Sequence, residues 1–192
     1  MKILCFGDSN TYGYDPRSYF GGRYSSENRW VEILPIKLGC ETVNAGENGR
    51  EIPRREGELL RFQQMLSKQE PDLLIIMLGG NDLLQGNSVE KVLERMETFL
   101  GHIPEEKAQI LLIGPPPVKL GEWVPNQSLI QASKELNEGY QMLAKRIGIH
   151  FANAEEWNID LTFDGVHFTE EGHRAFAEGL YNWLNRNIGL SE

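Results

Sequence analysis

Apolar and polar positions alternate along this chain in two patterns, one typical of buried strands and the other of amphipathic helices. Short runs of apolar and β-branched residues predict strands at residues 2–6, 41–44, 72–78, 109–113 and 149–153. The third run is apolar on both faces from Leu73 to Leu78, as expected of a central parallel strand that is covered on both sides. Strands that alternate with helices indicate an α/β fold.

Between these strands, apolar residues recur every three or four positions, which predicts amphipathic helices. Stripes of this kind predict helices over residues 57–68, 89–100, 129–147 and from about 169 onwards. Ser88 is a favourable N-cap for the second of them. A further helix is expected over residues 30–38, where Pro35 should kink or shorten it because proline cannot donate a backbone hydrogen bond. No helical stripe is evident between the first strand and Trp30.

Length and charge limit the classes of function. A chain of 192 residues, 40% of them apolar and 24% charged, is expected to form one globular domain over residues 1–192. Its net charge is −9 and it has no Lys/Arg-rich run, which argues against a nucleic acid or an anionic membrane as a partner. We interpret the densest basic group, formed by Arg50, Arg54 and Arg55, as a solvated face.

Targeting signals and cysteine usage bear on the compartment. No run approaches the roughly 18 apolar residues of a transmembrane helix, and the first residues enter a strand without a recognisable signal peptide. These features predict a cytoplasmic protein. Cys5 and Cys40 are the two cysteines, and we interpret them as buried thiols rather than as a disulfide.

Polar residues gather in the segments that follow the predicted strands. In chain order these segments contain Gly7-Asp8-Ser9-Asn10, the loop 44–50, Gly79-Gly80-Asn81-Asp82, three prolines at 115–117, and Asp164-Gly165-Val166-His167. In open parallel sheets, ligands bind outside the carboxyl ends of the strands. We therefore expect these segments to share one rim of the sheet, where a serine, an asparagine and an acid–histidine pair come together.

The residue types on this rim suit acyl transfer. A serine hydroxyl becomes an effective nucleophile when an imidazole takes its proton, and the imidazole needs an acid that fixes its tautomer. Asp164 and His167 are three residues apart, so a tight turn can deliver both to Ser9. The charge that develops on the carbonyl oxygen needs fixed donors, which glycine N–H groups and the Asn81 amide can supply.

Four blocks of the sequence resemble those of the SGNH (GDSL-type) hydrolases. They are Gly7-Asp8-Ser9, the glycine loop after the second strand, Gly79-Gly80-Asn81-Asp82, and Asp164-x-x-His167. They follow the order of the family and cover essentially the whole chain. Within the family, the segments "GDSNTYGYDP", "GENGR", "LIIMLGGND", "GPPP" and "DGVHFTEEGHR" are most similar to the arylesterase and acyltransferase branch.

The resemblance implies a flavodoxin-like three-layer α/β/α fold around a five-stranded parallel sheet. It also implies that Ser9 is the nucleophile, His167 the base and Asp164 the acid that orients the base. The oxyanion hole implied by the family consists of the N–H groups of Ser9 and Gly49 and the side chain of Asn81.

Three positions in the blocks need separate interpretation. The second block offers Gly46 as well as Gly49, and Gly49 aligns better with the glycine of the family. The fourth letter of the first motif is usually leucine in the family and is Asn10 here, which leaves the triad assignment unchanged. Asp82 is interpreted as a residue that closes a turn.

Three aromatic residues and three histidines outside these positions remain to be interpreted. Three loop aromatics near the rim are candidates for lining the acyl or alcohol pocket, namely Tyr12, Tyr14 and Trp123. The other histidines are interpreted as having no part in the reaction, namely His102, His150 and His173.

We interpret the chain as a serine esterase that cleaves short-chain carboxylic esters through an acyl-serine intermediate, with acyl transfer to alcohols as a second outcome. It is expected to act on a small-molecule ester without a metal or another cofactor, and a homo-oligomer is left open. The alternatives are a carbohydrate acetylesterase, a thioesterase or lysophospholipase on the same fold, and a non-catalytic binding protein. A metallophosphoesterase is disfavoured, because four histidines with no Asp-x-His near the first strand are too few for two metal ions.

Overall fold

The computed structural model describes residues 1–20, 22–104 and 109–189. Within these ranges, five parallel strands form one sheet in the order β2-β1-β3-β4-β5. The strands are β1 (Lys2–Gly7), β2 (Glu41–Gly46), β3 (Leu73–Met77), β4 (Gln109–Gly114) and β5 (His150–Asn153). The helices are α1 (Ser9–Tyr12), α2 (Trp30–Leu38), α3 (Glu56–Gln69), α4 (Gly80–Leu84), α5 (Val89–Leu100), α6 (Gln127–Ile147) and α7 (Glu170–Asn187). This strand order is flavodoxin-like, as predicted.

Two apolar layers cover the sheet, one on each face, which confirms the predicted three-layer α/β/α arrangement. Alternate residues of the strands point to opposite faces, so Ile3 and Cys5 of β1 join one layer while Leu4 and Phe6 join the other. The first layer is completed by α2 and α7, and the second by α3, α5 and α6. Strand β3 is buried along its whole length, as its continuous apolar run predicted.

The carboxyl ends of three neighbouring strands finish at one level. Gly7 at the end of β1 pairs with Gly46 of β2 on one side and with Met77 of β3 on the other. The chain leaves β1 towards β2 on one side and returns to β3 on the other, so the strand order reverses between β1 and β3. Open α/β sheets bind their ligands at such a reversal, which places the segments after β1, β2 and β3 around the expected crevice.

Helix α2 keeps its full predicted length, residues 30–38, in spite of Pro35. The expectation that this proline shortens the helix is wrong. Proline cannot donate to the carbonyl of Val31, four residues earlier, and the Thr42 hydroxyl donates to that carbonyl instead at 2.8 Å. A residue of the neighbouring strand β2 therefore satisfies the acceptor that the proline leaves without a partner.

Two short helices were not predicted. Helix α1 has four residues and begins at Ser9, and helix α4 has five residues and begins at Gly80. Each is about one turn long, too short to show an apolar stripe. None of the helices in the described part of the chain is long and apolar enough to cross a membrane.

Candidate active site

Ser9 lies at the junction of β1 and α1. Asp8 caps the helix, since its Oδ1 accepts a hydrogen bond from the N–H of Asn10 at 3.0 Å. Glycine is required just before it, because a Cβ on Gly7 would overlap the side chain of Thr11. The Gly-Asp-Ser sequence thus ends a strand and starts a helix, which leaves the Ser9 N–H in the first turn, where no intrahelical acceptor exists.

Asp164 and His167 are held in one tight loop after β5. The Oδ1 atom of Asp164 accepts hydrogen bonds from the Thr162 hydroxyl at 2.8 Å and from the N–H groups of Val166 and His167, both at 2.9 Å. Gly165 takes a positive φ of 83° at the turn. The second carboxylate oxygen, Oδ2, lies 2.6 Å from His167 Nδ1. The loop therefore fixes the acid against the imidazole by itself.

The structure brings this pair to the serine. His167 Nε2 lies 2.9 Å from Ser9 Oγ, although the two residues are 158 positions apart in the chain. Both side chains are buried, with His167 2% and Ser9 6% exposed. A continuous line of hydrogen-bonding groups thus runs from the Ser9 hydroxyl through the imidazole to the Asp164 carboxylate, which is the relation required between a nucleophile, its base and an orienting acid.

Two carboxylates place negative charge near His167. Burial alone would raise the pKa of Asp164, but the hydrogen bonds from the His167 side chain and from backbone N–H groups lower it to about 2. Burial raises the pKa of Asp8 to about 6, against the opposing effects of the Asn10 N–H and of the nearby His167 and Arg50. Both groups are therefore ionised at neutral pH, and both place negative charge close to the imidazole.

The Asn81 amide faces the predicted oxyanion region from the first turn of α4. Its Nδ2 donates to the Arg50 carbonyl at 3.0 Å. An amide nitrogen carries two hydrogens, so one N–H holds the side chain against the neighbouring loop while the second remains to donate to a ligand. Asn81 lies beside Ser9 in the wall of the cavity described below.

The two candidate glycines after β2 differ in whether their N–H groups are free. The Gly46 N–H donates to Asn44 Oδ1 at 3.0 Å, and a Cβ on Gly46 would overlap the backbone of Tyr12. Gly49 has a positive φ of 72° and open space where a Cβ would lie. Among the described residues, no acceptor contacts its N–H. The geometry therefore favours Gly49 over Gly46 as a donor to a ligand.

Arg50 is not part of a solvated face, so that interpretation is wrong for this residue. Its Nη1 donates to the carbonyls of Gly7, at 2.7 Å, and of Ala45, and its Nη2 donates to Glu47 at 2.7 Å. The guanidinium also stacks over the Phe6 ring, 4.2 Å from its centroid. Arg50 thus ties the loop that carries Gly49 to the ends of β1 and β2.

Asp82 is likewise more than a turn residue, and that interpretation is also wrong. Because residues 80–84 form α4, the side chain of Asp82 turns inward and is fully buried. Its carboxylate accepts from the Ile52 N–H at 2.9 Å and from Arg95 at 2.8 Å. Burial raises its pKa, while these bonds lower it again in part. Asp82 therefore holds α4, the helix that carries Asn81, against the segment around Ile52.

A small cavity of about 30 Å³ opens beside Ser9 and Asn81. Its walls are mostly apolar and come from α4, the proline segment after β4, and α6, including Leu83, Leu84, Pro115, Pro116, Val118, Leu129 and Leu136. Two of the three prolines at 115–117, Pro115 and Pro116, therefore supply one wall of this cavity.

Two of the three candidate aromatic residues flank His167. The rings of Tyr14 and Trp123 lie 4.8 and 5.0 Å from the imidazole centroid. Tyr12 instead packs against Arg23, with the guanidinium 4.4 Å from its ring centroid. None of the three lines the cavity beside Ser9, so the aromatic pair lies on the side of the imidazole rather than around that cavity.

His173 packs directly behind the loop that carries His167. It is fully buried one turn into α7, and its ring packs against Tyr24 and against Phe168, the neighbour of His167. Burial, together with nearby Arg29 and His167, lowers its pKa to about 3. His173 is therefore a neutral packing residue behind the loop that carries the base.

The sequence of this chain matches the GDSL-like lipase/acylhydrolase family over residues 5–175. The chain belongs to this family. The matched region contains every residue of the site described above, from Asp8 to His173, and the membership confirms the resemblance to the SGNH (GDSL-type) hydrolases.

Relatives of this acylhydrolase include proteins named as esterases. Esterase TesA of Pseudomonas aeruginosa is 31% identical over 90 residues, a match that spans 44% of this chain and 43% of that protein. An arylesterase of Vibrio mimicus is 24% identical over 204 residues, covering 97% of this chain and 90% of the relative. The crystal structure of a carbohydrate acetylesterase family member from Sinorhizobium meliloti has a TM-score of 0.85 at 25% identity, covering 98% of this chain and 99% of that one. Family and fold thus confirm the predicted class, a carboxylic ester hydrolase.

Proposed function

We propose that this acylhydrolase cleaves short-chain carboxylic esters through an acyl-serine intermediate, with Ser9 as nucleophile, His167 as base and Asp164 as its orienting acid. The observation that carries the proposal is the hydrogen-bonded line of these three side chains, with 2.9 Å between Ser9 Oγ and His167 Nε2 and 2.6 Å between His167 Nδ1 and Asp164 Oδ2. Residues 1–192 supply the whole arrangement as one proposed domain.

The reaction takes two steps. In the first, His167 accepts the Ser9 proton while Oγ attacks the ester carbonyl, and the imidazolium then gives that proton to the departing alcohol. In the second, a water molecule gives its proton to His167 and attacks the acyl carbon; the bond from that carbon to Ser9 Oγ then breaks, the imidazolium returns the proton to Oγ, and the carboxylic acid leaves. In both steps the negative carbonyl oxygen is stabilised by the N–H groups of Ser9 and Gly49 and by the Asn81 amide.

The size of the cavity supports a short acyl group. The cavity is small, about 30 Å³, and its lining includes the apolar side chains of Leu84 and Pro116. This size suits a short acyl group such as acetyl. Lysophospholipase activity, and thioesterase activity on long acyl chains, fit such a cavity poorly.

Carbohydrate acetylesterase activity is the second candidate. The acetyl-sized cavity favours it, as does the likeness to the acetylesterase family member from Sinorhizobium meliloti.

We also propose that alcohols compete with water for the acyl-enzyme, because the half-exposed Trp123 ring and Tyr14 offer apolar surface beside His167. The small-molecule substrate, the cytoplasmic location and any homo-oligomer stay predictions.

The test is ester hydrolysis by the wild type, by Ser9→Ala and by Ser26→Ala, whose serine is exposed on a turn away from the site. Ser9→Ala should lose most activity and keep only a residual rate, roughly 10³-fold over water, that an intact oxyanion hole can provide. Ser26→Ala should match the wild type. Equal rates for all three proteins would end the proposal.

The substrate class follows from a panel run with the same proteins. Turnover of p-nitrophenyl acetate should exceed that of the octanoate, and an acetylated sugar distinguishes the carbohydrate acetylesterase. Vinyl acetate with a primary alcohol in buffer should give some transferred ester. Faster cleavage of the octanoate would show that the acyl group is not confined to this cavity, and acetate as the sole product would exclude transfer.

A further inference from the structure

The side chain of Asn10 bridges the main chain on both sides of His167. Its Nδ2 donates to the Val166 carbonyl at 3.1 Å, and its Oδ1 accepts from the Phe168 N–H at 2.9 Å. The amide nitrogen thus donates to a backbone carbonyl, and the amide oxygen accepts from a backbone N–H. Asn10 is also the residue that follows Ser9, so the bridge joins the direct neighbour of the nucleophile to both neighbours of the base.

The internal bonds of the loop around His167 do not fix its distance from Ser9. The segment 119–123 also holds this loop, since the N–H groups of Lys119 and Trp123 donate to the carbonyls of Gly165 and Asp164 at 2.9 and 3.1 Å, but these bonds do not connect it to α1. Asp164 holds His167 within the loop, and the other hydrogen bond to the main chain of residues 166–168 from a distant segment comes from the Tyr24 hydroxyl, which donates to the Phe168 carbonyl at 3.1 Å. In the described part of the chain, the hydrogen bonds between α1 and residues 166–168 are the two made by Asn10 and the Ser9–His167 contact itself.

The backbone of Asn10 is fixed independently of its side chain. Its N–H donates to Asp8, and its carbonyl accepts from the indole N–H of Trp30 at 3.0 Å. Trp30 is 1% exposed and belongs to the core. A substitution at Asn10 can therefore remove the bridge while these two backbone bonds keep α1 in place.

We propose that Asn10 is a positioning residue that sets the distance between Ser9 Oγ and His167 Nε2 and holds the loop still while the imidazole passes its proton to the leaving alcohol. Leucine, which is usual at this position in the family, can form neither hydrogen bond. This chain thus holds its base with a polar bridge at a position that is usually apolar. The catalytic consequence rests on the proposed function, whereas the geometric one does not.

The kinetic test compares Asn10→Leu, Asn10→Asp and the wild type with p-nitrophenyl acetate. Both variants should lower kcat at neutral pH by about 10- to 100-fold with KM nearly unchanged, because small misplacements of a catalytic group cost that much in rate. In Asn10→Asp, an ionised carboxylate faces the Val166 carbonyl without a proton to donate. Its rate relative to the wild type should recover as the pH falls and the carboxyl protonates, whereas the ratio for Asn10→Leu should stay flat.

A matched control is Asn182→Leu, an exposed asparagine on α7 that contacts Glu178 at 3.3 Å. It should keep the wild-type kcat. Thermal unfolding of all variants shows whether a loss of activity comes from a loss of folding. If Asn10→Leu does not fold, the isosteric Asn10→Asp tests the positioning role in its place. Folded Asn10 variants with kcat within about twofold of the wild type would overturn the positioning role.

A crystal structure of Asn10→Leu, or of Asn10→Asp at neutral pH, tests the geometry without any activity. The Ser9 Oγ to His167 Nε2 distance should exceed hydrogen-bond range, about 3.5 Å, while the Asp164–His167 contact persists. An unchanged distance refutes the inference even if the protein is an active esterase. A wild type without esterase activity refutes the proposed function and leaves this distance to decide the role of Asn10.

Discussion

At the scale of single residues, Asn81 shows how one amide can serve two purposes. One N–H donates to the Arg50 carbonyl at 3.0 Å and fixes the rotamer, and the other is left for the oxyanion in the reaction that we propose. A donor that is already fixed costs no reorganisation at the moment of reaction, which is why such groups contribute so much to rate.

We expect Asn81→Ala to lower kcat by about 10²–10³-fold, near 3–4 kcal/mol, with little change in KM, because the lost donor acts on the transition state. The measurement is steady-state kinetics with p-nitrophenyl acetate. Asn87→Ala is the matched control, since Asn87 donates to the Asp82 carbonyl at 2.8 Å close to α4 but does not line the cavity. If both variants lose only thermal stability, Asn81 has a structural role alone.

At the scale of elements, the loop from β2 to α3 depends on Arg50. The guanidinium binds carbonyls at the ends of β1 and β2, and the Arg50 carbonyl receives the Asn81 amide. One residue therefore fixes two of the three predicted oxyanion donors, Asn81 directly and Gly49 as its chain neighbour. The loop gains its rigidity from these bonds rather than from secondary structure of its own.

Arg50→Met should keep the packing on Phe6 and the backbone carbonyl that accepts from Asn81, but lose the guanidinium hydrogen bonds to the carbonyls of Gly7 and Ala45. We expect a loss of about 1–3 kcal/mol in the free energy of unfolding and a fall in kcat of roughly 10-fold or more as the oxyanion donors shift. Urea unfolding and kinetics measure the two effects. Arg54→Met should change both little, because Arg54 makes a more exposed ion pair with Glu51. Equal behaviour of the two variants would contradict the special role of Arg50.

The elements themselves were predictable in proportion to their length. Strand β3 and helices α5 and α6 show continuous apolar runs or stripes, and their predicted positions agree with the structure to within a few residues. Helices α1 and α4 span about one turn each, where capping and tertiary contacts decide the conformation. The full length of α2 could not be predicted for the same reason, because the hydroxyl that donates to the Val31 carbonyl belongs to Thr42 of another element.

At the scale of the whole molecule, the placement of the site followed from the parallel sheet. Ser9, Asn81 and His167 lie in segments after strands whose carboxyl ends share one rim, so topology alone predicted their proximity. The supporting contacts could not be predicted in this way. Asn10 reaches a carbonyl 156 residues away, and no local pattern reports which side chain will face which backbone group across such a separation.

The buried His173 should make the whole fold sensitive to acid. Its pKa is about 3 in the folded protein and about 6.5 when unfolded, so the unfolded chain binds the extra proton between these values. The contribution of His173 to stability should therefore be complete above about pH 6.5 and decline towards pH 3, by up to about 1.4 kcal/mol per pH unit. Asp8 acts in the opposite direction between about pH 6 and pH 4, because its pKa is raised to about 6 in the folded protein. Asp164, with its pKa near 2, adds a loss only below about pH 4.

Urea unfolding at about pH 7, 5.5 and 4.5 measures this slope. His173→Phe keeps an aromatic ring against Tyr24 and Phe168 but cannot bind a proton, so acidification should cost this variant less stability than it costs the wild type. His102→Gln, which replaces an exposed histidine, should keep the wild-type slope. Parallel curves for wild type and His173→Phe would assign the acid sensitivity to other groups.

Ser9 and His167 stand 158 positions apart in the chain, which has a consequence while the protein is being made. Ser9 follows a strand that is flanked on both sides only once β3 has also been made, and His167 is synthesised later still. A nascent chain that stops short of the Asp164–His167 loop holds a serine without its imidazole partner. The reactivity proposed for Ser9 can therefore arise only when folding of that loop places the imidazole beside the hydroxyl.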